Sequence, residues 1–135
     1  PIYAKGQNSR EWLHAKDHCE ALFMLYLKGK NGESYNVGSG INIKNIDLVK
    51  KILKICKSLN IKISKKTKIK FVKDRPGHDF RYALNSKKIF KHLKWKPKIT
   101  FEEGLKHTIT WYMQNKKFLK NIKNKNYEKR LGLNV

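Results

Sequence analysis

Cysteine and long apolar runs are both scarce in this 135-residue sequence. Cys19 and Cys56 are its two cysteines, and their spacing fits neither a metal site nor a redox motif. We therefore expect core thiols in a reducing, cytoplasmic compartment. The longest apolar run, residues 21–27, is far shorter than the roughly 20 residues that span a bilayer. The sequence predicts no membrane helix.

No charged segment followed by an apolar one opens the given sequence. We expect no secretion signal. A start at Pro1 rather than Met leads us to expect that an upstream part is absent and that the chain is a piece of a longer protein.

Acidic residues are few: 10 Asp and Glu oppose 32 Lys and Arg, which gives a formal charge of +22. Such an excess attracts polyanions through counterion release, so a basic nucleic-acid-binding module is one hypothesis. The charge is mostly lysine, spread from Lys5 to Lys129, and this favours a generic solvated surface with nonspecific polyanion binding. The length and the 39% hydrophobic content fit one compact domain.

Hydrophobic periodicity predicts an α/β chain with short strands and four to five helices. The predicted helices cover residues 17–28, 45–59 and 85–93, a stretch that follows Thr100, and part of the tail from residue 116. The predicted strands cover residues 1–3, 10–14, 34–37 and 68–72.

Three of the helix starts carry capping signals. Asp17 with Glu20, and Thr100 with Glu103, have the spacing of a capping box. Asn45 is a favourable capping residue for the helix that follows it.

The segment 71–82 contains the best candidate for an anion site. Pro76 keeps Arg75 out of helical geometry and Gly77 permits a positive φ, so the turn presents Arg75 and His78 together. Only four arginines occur in the sequence, and two of them lie in this segment. The planar arginine fork suits a pair of phosphate oxygens. The alternative is a charged surface turn.

A second candidate loop, Gly38-Ser39-Gly40, follows a predicted strand as a phosphate loop should. The dinucleotide pattern also needs a third glycine and a helix that begins at once, and both are absent here. A bend is one interpretation and a cofactor loop is the other.

Two other spacings have chemical alternatives. His14 and His18 are four apart and could share a metal on a helix, but the glutamate of the zinc-protease motif is absent. Tyr26 and Tyr112 each precede a lysine by four positions, the spacing that short-chain dehydrogenases use beside the nicotinamide. We predict no metal site, and we interpret both tyrosines as packing residues.

Seven motifs then occur in one order along the chain. They are Pro1-Ile2-Tyr3, Arg10-Glu11-Trp12-Leu13, Asp17-His18, Tyr35-Asn36-Val37-Gly38, Asp74-Arg75-Pro76-Gly77-His78-Asp79 with Arg81-Tyr82-Ala83, Trp95-Lys96-Pro97 and Thr100-Phe101-Glu102-Glu103-Gly104. In this order and spacing they resemble the C-terminal half of the dTDP-glucose 4,6-dehydratase family, from residue 1 to about residue 111.

The resemblance implies part of an extended short-chain dehydrogenase, in which a Rossmann domain binds NAD and a smaller C-terminal domain binds the nucleotide sugar. Residues 1–115 would be this nucleotide-sugar-binding domain, and residues 116–135 a basic, partly helical tail. The family enzymes are homodimers that convert dTDP-glucose to dTDP-4-keto-6-deoxy-glucose and water, for example in rhamnose biosynthesis, and regenerate NAD in each turnover. The Rossmann half and its catalytic residues are absent from this chain, so no catalytic residue is carried over.

By the same resemblance, Tyr3 would pack against the thymine, Arg10 and Arg75 would bind the diphosphate, and Asn36 and His78 would hydrogen-bond in the nucleotide-binding region. From the residues alone, Asn36 is equally well a turn-forming residue.

The chain departs from the family pattern at four positions. Ala4 and Lys94 stand where the family usually has glycine, His14 where it has tyrosine, and Lys16 where it has an acidic residue. A degenerate remnant of a split gene, folded poorly without its partner domain, is a further alternative.

Overall fold

The computed structural model describes residues 1–122 as an α/β chain of short strands and five helices. This confirms the predicted fold class. The elements are β1 (Ile2–Tyr3), β2 (Ser9–Glu11), α1 (Ala15–Lys28), β3 (Asn42–Lys44), α2 (Asn45–Ser58), β4 (Phe71–Val72), β5 (Arg81–Tyr82), α3 (Lys87–Leu93), α4 (Phe101–Gln114) and α5 (Lys116–Ile122). The helix predicted in the tail is described as far as Ile122, and the rest of that prediction lies outside the described residues.

The strands form two small sheets that fix the segment between β4 and β5. In one sheet β1 pairs in parallel with β4, and Tyr3 lies opposite Val72. In the other, β2 lies between antiparallel β3 and parallel β5, and Arg10 lies opposite Tyr82. Because β4 and β5 bound residues 73–80, their pairing with β1 and β2 holds this loop beside the N-terminal strands.

The core is a small cluster beneath α1 and α3. Ala21 and Ile89 are fully buried and Trp95 is 4% exposed. Six partly buried side chains pack around them: Leu13, Met24, Leu25, Tyr35, Val37 and Leu93. The C-terminal end of α3 reaches Trp95 through Lys94, whose left-handed backbone (φ 56°) ends the helix.

The strand predicted over residues 34–37 is wrong for the described structure. Tyr35 and Val37 are partly buried and Asn36 is exposed, so the expected alternation is present. Within residues 1–122, however, no neighbouring strand pairs with this segment, and the strand of this region is β3 instead. A strand requires a hydrogen-bonded neighbour as well as a pattern.

The predicted strand over 10–14 is also shorter than expected, because residues 12–14 lead directly into α1. His14 caps this helix by accepting a hydrogen bond from the Lys16 backbone N–H at Nδ1. The capping box predicted for Asp17 and Glu20 is therefore wrong. Asp17 is 1% exposed inside α1, and Glu20 forms an ion pair with Lys98.

The capping box at the start of α4 is confirmed. The Thr100 hydroxyl accepts a hydrogen bond from the Glu103 backbone N–H, and the Glu103 carboxylate accepts one from the Thr100 backbone N–H. Helix α2 begins at Asn45, one residue earlier than capping by Asn45 requires, and Lys44 occupies the cap without a side-chain bond.

Three predicted packing positions are not in the core. Cys19 is exposed and Cys56 is half-buried, although both were expected to be core thiols. Tyr26 is 84% exposed on the outer face of α1, so its interpretation as a packing residue is wrong here. Tyr112 contacts Trp111 edge to face at 5.2 Å.

No helix within residues 1–122 has the length and apolarity to cross a membrane.

Candidate functional site

Arg10 lies against the loop of residues 73–80. Its guanidinium donates one hydrogen bond to the Asp79 carbonyl and another to the Ser9 carbonyl, each at 2.7 Å. The side chain is half-buried, and its position on β2 is set by the pairing with β5. A guanidinium has five N–H groups, so donors remain for an anion at this place.

His78 is the most enclosed side chain of the loop, with 5% of it exposed. Its Nδ1 lies 2.6 Å from Asp74 Oδ1. The Asn8 amide nitrogen lies 3.3 Å from the same Nδ1 and also 3.3 Å from the Asp79 carbonyl oxygen. The Tyr3 ring meets the imidazole edge to face, with 5.7 Å between centroids.

Asp74 is the anionic group of this loop. The hydrogen bond with His78 is the main cause that lowers the pKa of Asp74 below its ordinary value. Partial burial opposes this shift, while the Arg75 backbone N–H, 3.0 Å from the same oxygen, adds to it. Asp74 is consequently an ionised acceptor at neutral pH.

Arg75 follows Asp74 in the turn and is exposed. The turn has the expected backbone, since Gly77 has a φ of 65°. Within the part of the chain that the structure describes, the Arg75 guanidinium has no hydrogen-bond or ion-pair partner. Arg75 is thus an exposed cation at the outer end of the loop, and His78 lies in the interior of the same loop.

Asn36 lies apart from the other four predicted site residues. It is exposed, and its amide donates to the Asn85 carbonyl at 3.5 Å. Among residues 1–122 it makes no hydrogen bond with Tyr3, Arg10 or the loop. The structure therefore brings together Tyr3, Arg10, His78 and the turn that carries Arg75, and leaves Asn36 on a neighbouring surface.

Glu11 connects these two surfaces. Its carboxylate accepts hydrogen bonds from the Gly40 backbone N–H at 2.6 Å and from the Leu84 backbone N–H at 2.7 Å. A Cβ on Gly38 would collide with Glu11, so the glycine permits this close approach. Because a carboxylate already occupies the Gly40 N–H, the segment 38–40 is a bend and does not fit the phosphates of a dinucleotide.

The metal alternative for His14 and His18 has no support. His14 caps α1 and His18 is exposed on it. Across residues 1–122, no group of three or more His, Cys, Asp or Glu side chains could hold a metal ion.

A cleft of about 690 Å³ lies elsewhere, between the start of α1 and the start of α4. Trp12, Ile41, Phe101 and Leu105 line it, together with other mostly apolar groups, and none of the five predicted site residues does. A phosphorylated ligand needs cations and N–H donors. We therefore place the candidate site at Arg10 and the 73–80 loop, and not in this cleft.

Comparison with known proteins matches residues 1–108 to a family described as GDP-mannose 4,6-dehydratase. The chain belongs to this family. It is 44% identical over 132 residues to dTDP-glucose 4,6-dehydratase 1 of Escherichia coli strain K12, covering 95% of this chain and 36% of that protein. The predicted resemblance is thus confirmed.

Solved structures of this family agree. The dTDP-glucose 4,6-dehydratase of Bacillus anthracis, in complex with NAD, is 40% identical, with a TM-score of 0.76 over 87% of this chain and 35% of that chain. The dTDP-glucose 4,6-dehydratase DesIV of Streptomyces venezuelae, with NAD and TYD bound, is 36% identical, with a TM-score of 0.75 over the same shares. The chain spans about a third of the length of these relatives and matches their C-terminal region.

Sequence reasoning missed two members of the site in this dehydratase-family chain, Asn8 and Asp74. Asn8 is 4% exposed, which is unusual for an asparagine outside a hydrogen-bond network. It lies directly before β2, two residues before Arg10, and this spacing is the one signal that the sequence offers. Asp74 belongs to the Asp-Arg-Pro-Gly-His-Asp motif, and the motif gives it no role of its own.

Proposed function

We propose that this chain is the nucleotide-sugar-binding part of an NAD-dependent dTDP-glucose 4,6-dehydratase, which converts dTDP-glucose to dTDP-4-keto-6-deoxy-glucose and water. The observation that carries the proposal is the convergence of Arg10, His78 and the Arg75 turn in a chain 44% identical to such an enzyme. We propose that the enzyme acts in deoxysugar synthesis, such as that of rhamnose.

In this proposal Arg10 and Arg75 bind the diphosphate. Arg10 is anchored by two carbonyls and keeps further N–H groups for the ligand, so its fork costs little conformational entropy on binding. Arg75 is exposed and closes on the ligand from the turn. Charge-assisted hydrogen bonds to phosphate contribute about 1.5 to 3 kcal/mol each, enough for two arginines to anchor a diphosphate.

Tyr3 and His78 serve the nucleoside in the same proposal. Their edge-to-face contact supports one aromatic wall against which a thymine ring can pack. Asn36 hydrogen-bonds to the nucleotide from its neighbouring surface, where its amide now donates to the Asn85 carbonyl.

The NAD site and the catalytic groups belong to the upstream part of the enzyme in this proposal. The glycine segment of this chain is engaged by Glu11 and does not fit a dinucleotide, so we assign no residue here to NAD. We also propose a homodimeric, cytoplasmic enzyme, and the two free thiols accord with a reducing compartment.

The outer face of α1 supports an upstream partner domain. Leu22, Phe23, Tyr26 and Leu27 form an apolar stripe that is 50–84% exposed. Residues 34–37 alternate like a strand but have no paired neighbour within the described chain. An exposed apolar helix face and an unpaired strand-like segment are both features that a missing sheet would cover, and the relatives are about three times longer than this chain.

The proposal is tested by joining the 135-residue chain to the coding sequence directly upstream of it and assaying dTDP-glucose. We expect formation of the 4-keto-6-deoxy sugar with bound NAD, and none from the chain alone. Turnover of another nucleotide sugar in place of dTDP-glucose would refute the substrate, while an upstream sequence unrelated to a nucleotide-binding domain would refute the enzyme. Substituting Tyr26 and Leu27 by Lys should abolish assembly with the upstream part, whereas Lys28→Ala should not.

A further inference from the structure

We propose that Asp74 is a positioning residue that fixes the tautomer of His78, so that His78 offers an unprotonated Nε2 to the nucleoside. The inference rests on the proposed function for the identity of the ligand, but the tautomer itself is a property of the free chain. It assigns a role to a carboxylate that would otherwise be an unexplained negative charge beside a diphosphate site.

The first step is the direction of the Asp74–His78 hydrogen bond. Nδ1 and Oδ1 are 2.6 Å apart, so one proton lies between them. Asp74 also accepts from the Arg75 backbone N–H and is 38% exposed, conditions that favour its ionised form. The proton therefore sits on Nδ1, and the neutral ring carries its lone pair at Nε2.

The second step removes a competing contact. The Asn8 amide nitrogen is 3.3 Å from the same Nδ1, but a protonated Nδ1 has no lone pair to accept with. Asn8 has another acceptor, the Asp79 carbonyl, at the same distance. We conclude that Asn8 bonds to Asp79 and packs against the imidazole, while the shorter, charge-assisted contact decides the tautomer.

The unprotonated Nε2 determines which chemical group of the ligand His78 can bind. In the neutral ring, an Nε2 acceptor matches a hydroxyl or imide N–H of a nucleoside and does not match a phosphate oxygen. Arg10, which donates to the carbonyl next to His78, supplies the N–H donors that a phosphate needs. The two functions of the site, base or ribose recognition and diphosphate binding, are thus divided between His78 and the arginines.

The tautomer is measured directly on the full ¹⁵N-labelled chain without ligand, from two-bond correlations of the imidazole nitrogens in alkaline solution, where the ring is neutral. His78→Gln identifies its signals among the five histidines. We expect a protonated Nδ1 in the wild type and in Asp74→Asn, whose amide oxygen still accepts, and loss of that signature in Asp74→Ala. A protonated Nε2 in the wild type would overturn the proposal.

Binding then tests the ligand class with dTDP, thymidine monophosphate and inorganic diphosphate. We expect Asp74→Ala to weaken dTDP and thymidine monophosphate by roughly tenfold, with Asp74→Asn within about threefold of wild type, because one hydrogen bond is lost or kept. Neither change should weaken the binding of inorganic diphosphate, because both remove a negative charge beside its site. Equal weakening of diphosphate would overturn the assignment. A chain with the expected tautomer that binds no dTDP would instead refute the proposed function alone.

Discussion

The guanidinium of Arg10 donates to the backbone carbonyl of Asp79 across 2.7 Å, which joins segments 69 residues apart in the sequence. Asp79 follows His78, so this contact reinforces the pairing of β2 with β5 in holding the loop against β2. The relationship makes Arg10 both a structural link and a candidate ligand group. Arg75, at the exposed end of the same loop, makes no such structural contact within the described residues. Substitution of Arg10 should therefore change both stability and binding, whereas substitution of Arg75 should change binding alone.

Arg75→Ala should weaken dTDP binding roughly tenfold or more without altering stability. The guanidinium is exposed, and surface substitutions usually change the free energy of unfolding by less than about 0.5 kcal/mol. Loss of a charge-assisted contact to phosphate, by contrast, costs about 1.5 to 3 kcal/mol of binding. Calorimetric titration and urea unfolding of the same variant measure both quantities.

Arg10→Ala should weaken dTDP binding to a similar degree and also lower stability by about 1 kcal/mol, because the Asp79 carbonyl loses the shorter of its two side-chain hydrogen bonds. Lys106→Ala, an exposed change on α4, is the matched charge control and should affect neither quantity. If Lys106→Ala reduced dTDP affinity as much as Arg10→Ala, binding would reflect the net charge of the chain and not the site.

Ala4→Gly and Lys94→Gly should each stabilise the chain by roughly 0.5 to 1 kcal/mol. Ala4 has a φ of 46° and Lys94 a φ of 56°, in the left-handed region where a Cβ costs about 1 to 2 kcal/mol. Glycine removes that strain but adds entropy to the unfolded chain, which offsets part of the gain. Thermal unfolding of the single variants measures the difference.

The control for Lys94→Gly is Lys91→Gly, one turn earlier in α3. Lys91 is an exposed residue inside the helix, where glycine should destabilise by about 1 kcal/mol. Opposite signs at residues 91 and 94 are the expected result. Destabilisation at both positions would mean that the left-handed backbone at Lys94 is not strained.

Asp17→Ala should destabilise the chain by about 1 to 3 kcal/mol, because two backbone N–H groups lose their acceptor in a buried place. The Asp17 carboxylate accepts from Lys98 at 3.2 Å and from Ile99 at 3.0 Å, which ties α1 to the residues before α4. Asp47→Ala, in the first turn of α2, is the control and should cost less than about 1 kcal/mol. Equal losses would show that Asp17 acts through helix charge alone.

The contribution of Glu103 to stability should be constant near neutral pH, where the carboxylate is ionised, and should fall in acid. The hydrogen bonds from the Thr100 side chain, followed by those from its backbone, lower the pKa of Glu103 below its ordinary 4.5. A lowered pKa contributes stability that is fully present above the unfolded value and is lost as pH falls through the folded value. Unfolding measured from pH 7 to pH 3 should decline below about pH 4.5, and Glu103→Gln should reduce that decline. An unchanged decline would assign it to the other carboxylates.

Local signals in the sequence predicted the parts of the fold that local physics decides. The Thr100–Glu103 box formed because both partners lie within one helical turn. The 73–80 turn formed because Pro76 and Gly77 restrict and permit the required backbone angles. Family motifs then placed Tyr3, Arg10 and His78 in one region, although periodicity alone does not pair strands that are 70 residues apart.

The misses arose where a distant partner decides the outcome. Asp17 looks like a helix cap, but its real partners are the N–H groups of Lys98 and Ile99, and His14 takes the cap. Residues 34–37 have a strand pattern without a strand to pair with. Tyr26 has helical periodicity, but it lies on the face of α1 that this part of the chain does not cover.

The charge of +22 makes a nucleic-acid-binding module the alternative to a nucleotide-sugar site, and the two differ in how they bind DNA. Binding to duplex DNA should be weak, insensitive to sequence and steeply reduced by salt, because dispersed lysines act through counterion release. Arg10→Ala and Arg75→Ala should leave DNA affinity nearly unchanged while they weaken dTDP. Titrations of both ligands at rising salt make the comparison. Two results would favour the nucleic-acid module. One is tight, sequence-selective DNA binding that persists at physiological salt, since selective recognition requires base contacts that dispersed lysines do not make. The other is an equal loss of affinity for DNA and for dTDP in the arginine variants.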